Sequence, residues 1–311
     1  MINATAATQD IATDGLAVKL LPEKWRGFGN SLQVSGFKVG MIMSGSLLLV
    51  SIDKLGWSLS FQLLAACLMV LLIPAYLFQE RSTGSLQSDA QICATSLNHQ
   101  SISQKKVHWL DTYKGFFTQP GIMVWLLVLL TYKIADALGS GMIKPLLVDL
   151  GFTLTAIGEI TFWASLGGLL AALVAGIIYY RLGAKWCLLM FGVLQTAGIA
   201  SYALFANGYL SLDAIMAVAL FEQAADGMST VALFALMMGH CRQGHEGSDY
   251  TLQACIQVVI SGVLGAISGF VVKFTDYTTL YIAAAVLGML SLLPVLIYFS
   301  SLSKRRRANE L

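Results

Sequence analysis

Residues 220–238 read LFEQAADGMSTVALFALMM, an apolar run that carries two acids, Glu222 and Asp226, one helical turn apart. The start of the chain repeats the device: NATAATQDIATDGLAVKLL, Asn3 to Leu21, sets Asp10 and Asp14 at the same spacing, again with a glycine after the second acid. Residues four apart share one face of a helix, so each stretch turns two carboxyl groups to one side. What surrounds them decides the fold. The 311-residue chain is 57% hydrophobic and only 12% charged, with a mean hydropathy of +0.72, whereas soluble domains carry roughly a quarter charged residues. This is the composition of an all-α membrane protein with several spans.

A bilayer core takes about 20 mainly apolar residues per helix. Runs of that length are predicted at 2–21, 31–52, 57–78, 121–147, 154–180, 186–206, 212–239, 250–272 and 277–302. Long continuous runs, rather than alternating ones, favour helices over a barrel. The segment 79–120 is Ser- and Gln-rich and lacks helical periodicity, so it reads as a linker. It divides three helices, within 1–78, from six, within 121–311. Lys24, Arg26, Arg81, Lys105, Lys106, Lys114, Arg181, Lys185, Arg242 and the terminal Lys304, Arg305, Arg306 and Arg307 fall in alternate loops. The positive-inside rule makes that side cytoplasmic, with the C-terminus inside and Met1 outside.

The two acidic helices belong to a longer repeat. Asp10 meets Glu222, Ala12 meets Ala224, and Asp14-Gly15 meets Asp226-Gly227; in the next helices QVSGFKVGMIMSG, Gln33 to Gly45, meets QVVISGVLGAISG, Gln257 to Gly269. Two matches in the same order, six helices apart, point to duplication. Six is the period of the major facilitator superfamily, built from two parallel six-helix repeats.

The chain resembles that superfamily, and within it the peptide and acetyl-CoA transporter family of AmpG-like muropeptide permeases and RhtX/FptX-type siderophore permeases. The motifs carrying the resemblance are TQDIATDG (Thr8 to Gly15), RGFGNSLQVSGFKVGMIMSG (Arg26 to Gly45), YKIADALGSGMIKPLLVDLGF (Tyr132 to Phe152) and FEQAADGMST (Phe221 to Thr230). A superfamily loop motif has a counterpart in GIIYYRLGAK, where Gly176, Arg181, Gly183 and Lys185 match while Tyr180 replaces the acid. The resemblance implies a secondary transporter of the bacterial inner membrane whose opening helix is the fourth of twelve. On that reading three N-terminal helices are missing, and an inactive truncated fragment is a further alternative. The segments ATDGLAV (Ala12 to Val18) and GSDYTLQA (Gly247 to Ala254) lean towards proton-driven import of a ferric siderophore, with a muropeptide as the alternative.

Ionisable groups at membrane depth usually face a bundle interior or a water-filled cavity. Asp10, Asp14, Glu222 and Asp226 are therefore candidates for proton coupling or substrate contact; the plain alternative is that they pair with a base and hold helices together. Lys133 and Asp136, three apart, read first as a structural ion pair, with Tyr132 beside them as an aromatic wall if they instead form a gate. Lys38 is expected to answer Asp10 or Asp14 on the preceding helix, or to snorkel.

Other chemistries find little support. A formal charge of +2 gives no footprint for nucleic acid. There is no P-loop, no G-x-S-x-G and no H-E-x-x-H, so no enzyme and no cofactor is expected. His240, Cys241 and His245 lack the spacing of a tetrahedral metal site. The five cysteines are scattered and read as apolar filler. The expected partners are a small solute, a proton and the lipid bilayer, and oligomeric state leaves no mark in the pattern.

Overall fold

The computed structural model describes residues 2–77, 109–208 and 211–309. The core of the linker, 78–108, and with it Arg81, Lys105 and Lys106, lies outside the described residues. The elements are α1 (Ile2–Leu20), α2 (Arg26–Ile42), α3 (Leu48–Leu77), α4 (Trp109–Phe117), α5 (Ile122–Thr131), α6 (Ile134–Asp149), α7 (Leu154–Ala206), α8 (Leu212–Met238), α9 (Glu246–Phe274), α10 (Tyr277–Leu290) and α11 (Leu292–Asn309). No strand occurs among the described residues. The chain is an all-α membrane protein.

Local chemistry sets where the helices start and break. Thr153, Ser211 and Asp276 cap α7, α8 and α10, each side-chain oxygen accepting the backbone N–H three residues on, which satisfies one of the donors a helix start leaves open. Gly183, at φ 75° and ψ 171°, breaks the 53-residue α7 into two arms. Only a residue without Cβ adopts that conformation cheaply, and 53 residues at about 1.5 Å each would otherwise run ~80 Å, more than twice a bilayer core. Between α5 and α6 the helix unwinds for two residues, Tyr132 and Lys133.

Five stretches among the described residues are long and apolar enough to cross a membrane, and Leu154–Ala206 is one of them. Its break at Gly183 divides it in two and makes six candidate spans. The other three expected spans, α1, α2 and α8, interrupt their apolar runs with charged or polar side chains. Boundaries differ from expectation at polar ends: α2 begins at Arg26 rather than at 31, and α9 at Glu246 rather than at 250. Polar residues at a membrane surface can continue a helix that hydropathy alone would end.

The chain divides into two compact units. One holds Met1–Ile42 with Thr112–Leu311; the other is Met43–Asp111. The second consists, among described residues, of a π-helical turn at Met43–Leu47 and α3, which bends at Gly56 (φ 78°).

In the larger unit α2 crosses α7 where side chains are smallest. A Cβ on Gly176 would meet Ser31 Oγ at 2.5 Å, and one on Gly27 would meet the Tyr179 ring at 2.4 Å. Likewise α1 lies on α9 through Gly15, whose added Cβ would stand 3.0 Å from Gly247 Cα. Close approach through small residues is the usual contact between membrane helices.

The buried apolar residues form two clusters. One includes Val34, Trp125, Leu129, Ala172, Leu188, Phe191, Val231 and Tyr298; the other includes Leu138, Leu146, Ala164, Ile199, Tyr202, Ile215, Ala219 and Tyr281. On α8 and on each arm of α7 the two clusters occupy opposite ends, the first cluster lying around the Gly183 break. Between them lie the polar Gln195, Glu222, Asp226 and Ser229, with Gly168 facing them, among apolar neighbours. A polar layer thus separates two apolar ones.

Candidate functional site

That layer is built around Asp226. Lys133 Nζ donates to Asp226 Oδ1 at 2.7 Å and to Ser229 Oγ at 2.9 Å. Lys38 Nζ reaches the other oxygen, Oδ2, at 3.4 Å and donates to Gln223 Oε1 at 3.0 Å. Thr230 Oγ1 adds a donor to Oδ1 at 3.4 Å. One carboxylate therefore receives two ammonium groups, one from α2 and one from the unwound joint of α5 and α6. Asp136 lies 3.9 Å from Lys133. It is the second and more distant acid of that lysine.

The unwound joint explains Lys133. Residues out of helix at membrane depth free backbone groups, which is tolerated only where protein or a cavity surrounds them, and here Lys133 is 7% exposed. Lys38 reaches α8 because residue 168 is glycine: a Cβ there would meet the Gln223 carbonyl at 2.7 Å and Lys38 Nζ at 3.0 Å. Counting about 1.5 Å per residue from Arg26 and from Gly239, Lys38 and Asp226 both lie ~18 to 20 Å inside, near the middle of a core about 30 Å thick.

Glu222 is the odd member. It is 1% exposed, accepts from Gln223 Nε2 at 3.0 Å through Oε2, and its Oε1 has no hydrogen-bond partner among the described residues. Lys38, Gln223 and Glu222 thus form one chain of donors and acceptors. With Lys38 and Lys133 against Asp136 and Asp226 the layer's charges balance, and an ionised Glu222 would leave one negative charge over. Its side chain lines a cavity of about 170 Å³ with Ser140, Thr161, Ser165, Tyr202 and Gln223. Gly198 makes the room, since a Cβ there would stand 3.0 Å from Glu222 Cα.

The other expected residues lie elsewhere. Asp14 accepts a bond from Gln33 Nε2 at 2.6 Å, and Asp10 sits on an exposed turn of α1; neither meets Lys38. The expectation that Lys38 answers the opening acids is corrected: α2 turns its lysine to α8, because the α2–α7 crossing carries that face inward. Tyr132 is no cavity wall. It is 3% exposed in the apolar core and donates to the Leu188 carbonyl at 2.9 Å. The Lys133–Asp136 pair exists, but Asp226 is the closer partner.

In the loop motif, Gly176 belongs to the helix crossing and Gly183 to the break, Arg181 is exposed, and Lys185 Nζ lies 5.5 Å from the centre of the Trp186 ring. Gln223, Ser229 and Gln33 were not anticipated. The signal for Ser229 is its place one turn after Asp226.

His240 stacks on Trp125, ring centres 4.2 Å apart. Its Nδ1 pairs with the Leu236 carbonyl and its Nε2 with Tyr298 Oη, both at 2.9 Å, so neither nitrogen is left for a metal. Burial holds its pKa down at about 4 and pushes the Cys241 thiol up to about 12. Next to it Arg242 grips Asp249 with Nη2 on Oδ1 at 2.7 Å and Nε on Oδ2 at 2.8 Å. Trp125 Nε1 donates to Gln253 Oε1 at 2.7 Å.

An all-helical, multi-pass membrane fold with a buried ionic layer defines the class. Among proteins of known role the chain is similar to the anhydromuropeptide permease of Escherichia coli (strain K12), at 30% identity over 294 residues, covering 93% of this chain and 57% of the relative. It is also similar to the putative transporter AmpG 4 of Rickettsia conorii, at 23% identity over 97% of this chain and 71% of the relative. The putative transporter AmpG 1 of Rickettsia prowazekii is 22% identical over 95% of this chain and 73% of the relative. No family model matches the sequence. The chain spans little more than half the length of the Escherichia coli permease.

Proposed function

We propose that this chain belongs to a secondary transporter of the major facilitator type that carries a muropeptide, a cell-wall fragment, across the bacterial inner membrane with a proton. The observation that carries the reading is the Lys38–Asp226–Lys133 layer. It joins a helix of the first repeat to the centre of the second, at the depth where such transporters bind solute. The relatives' names favour a muropeptide over the siderophore towards which the sequence leaned.

Within the layer the roles divide. Asp226, held by two lysines, is the clamp between α2, the α5–α6 joint and α8. Glu222, with no lysine or arginine within ion-pairing distance among the described residues and one oxygen open, is the proton-binding group. Rocking of one half against the other would break Lys38 from Asp226 and re-form it. The basic face is cytoplasmic on this reading, residues 1–78 supply helices of the first half and 121–311 the second.

The test is uptake of labelled anhydromuropeptide and of labelled ferric siderophore, side by side, in a transport-deficient strain expressing the protein. Uptake of the muropeptide alone, abolished by a protonophore, is expected. Siderophore uptake, or muropeptide uptake indifferent to the protonophore, would overturn the assignment.

A further inference from the structure

A second cavity, about 1030 Å³, opens on the basic face. It is formed by helix ends: Arg26 begins α2, Gly183 breaks α7, Gly239 and His240 follow α8, and Ser303 lies on the last turns of α11. Its wall is of two kinds. Leu182, Leu236, Leu296 and Phe299 make an apolar side, while Arg26 and Lys185 bring cations. Neither cation makes an ion pair among the described residues, and Glu23 is the acid on the rim.

Arg26 carries the sharper signal. Its Nε is buried and has no hydrogen-bond partner among the described residues, although buried donors are satisfied in the great majority of cases. The depth of the opening is marked independently. Trp25, Tyr180 and Trp186 are about half exposed or more, at 49%, 50% and 62%, and Trp25 packs on Tyr180 with ring centres 5.3 Å apart. Exposed Trp and Tyr with Lys and Arg beside them mark the headgroup level of a bilayer.

We propose that this cavity binds the headgroup of an anionic phospholipid, its phosphate facing the Arg26 guanidinium and Lys185, its acyl chain along the apolar wall. A small anion would satisfy the cations and leave that wall open to water; a neutral lipid would fill the wall and leave the cations unanswered. Basic pockets between membrane helices on this side are fitted to such headgroups. A bound lipid would tie α2 to the break in α7 and to the end of α8, which are the parts that move if the two repeats rock. The site shares no residue with the ionic layer, so its fate and that of the transport reading are separate.

The experiment is native mass spectrometry of the purified full chain released from nanodiscs containing phosphatidylcholine and phosphatidylglycerol. Retained phosphatidylglycerol is expected to fall about fivefold in Arg26→Gln or Lys185→Gln and ~30-fold in the double variant, from the attraction of each basic residue near a membrane surface. Phosphatidylcholine adducts should not change. Glu23→Gln removes no cation and is expected to raise phosphatidylglycerol retention, which keeps the test decisive if the arginine variant fails to fold. Equal retention in all variants would overturn the site. Displacement of the lipid by millimolar inorganic phosphate would overturn the lipid in favour of a free anion.

Discussion

At the scale of single residues, the ionic layer rests on Asp226. Removing one partner of a buried ion pair leaves the other charge uncompensated, at a cost of about 3 to 5 kcal/mol. Asp226→Asn leaves Lys38 without a carboxylate and Lys133 with only the more distant Asp136, and is expected to lower thermal stability in detergent and to abolish uptake; Lys133→Gln added to it should recover part of the stability and none of the uptake. Glu222→Gln leaves the lysines paired, so stability should stay within ~1 kcal/mol while the pH dependence of uptake disappears. An unchanged pH profile in Glu222→Gln would remove Glu222 from the coupling role.

His240 gives a residue-scale effect of pH on the fold. Its folded pKa, about 4, lies below the ordinary 6.5 because burial disfavours the charged ring. Between those values the unfolded chain binds the proton and the folded one does not. The stabilisation is therefore complete above pH 6.5 and lost as pH falls towards 4. His240→Phe keeps a ring on Trp125 without a titrating group, so its melting temperature should fall less steeply than that of the native protein across that window.

At the scale of elements, the crossings depend on glycine. Gly168→Ala drives a methyl to 2.7 Å from the Gln223 carbonyl. Backbone cannot give way there as a flexible side chain could, and overpacking of this kind typically costs 1 to 3 kcal/mol. The expected outcome is a protein that melts earlier and loses transport, because the same methyl pushes Lys38 from its partner. A variant as stable and active as the parent would show that α7 and α8 are not held as close as Gly168 implies. The acids at 10, 14, 222 and 226 were legible in sequence because their spacing is local. Their partners were not: Lys38 stands 188 positions from Asp226, and no periodicity links residues that far apart. Tyr132 misled because an aromatic beside a charge looks the same in sequence whether its ring faces a cavity or, after the helix unwinds, the core.

At the scale of the whole molecule, α2 belongs by sequence to the first repeat and by contact to α7 of the second. Gly176→Leu, whose side chain would have to enter the space that Ser31 fills, should therefore part α2 from α7, lower the melting temperature in detergent and abolish uptake. A variant as stable and active as the parent would show that α2 does not pack on α7 there and would remove the structural ground of the proposed transport site. The membrane class, the all-helical fold and the doubled acidic motif were determined by the sequence alone, because hydropathy and one-turn spacings are properties of neighbouring residues; the helix at Trp109–Phe117, inside the stretch read as a linker, was not. Only the tertiary structure decided that Asp226 is clamped by Lys38 and Lys133 while Glu222 stands open beside a cavity. Burial in a low-dielectric core makes each buried charge depend on what another helix brings to it.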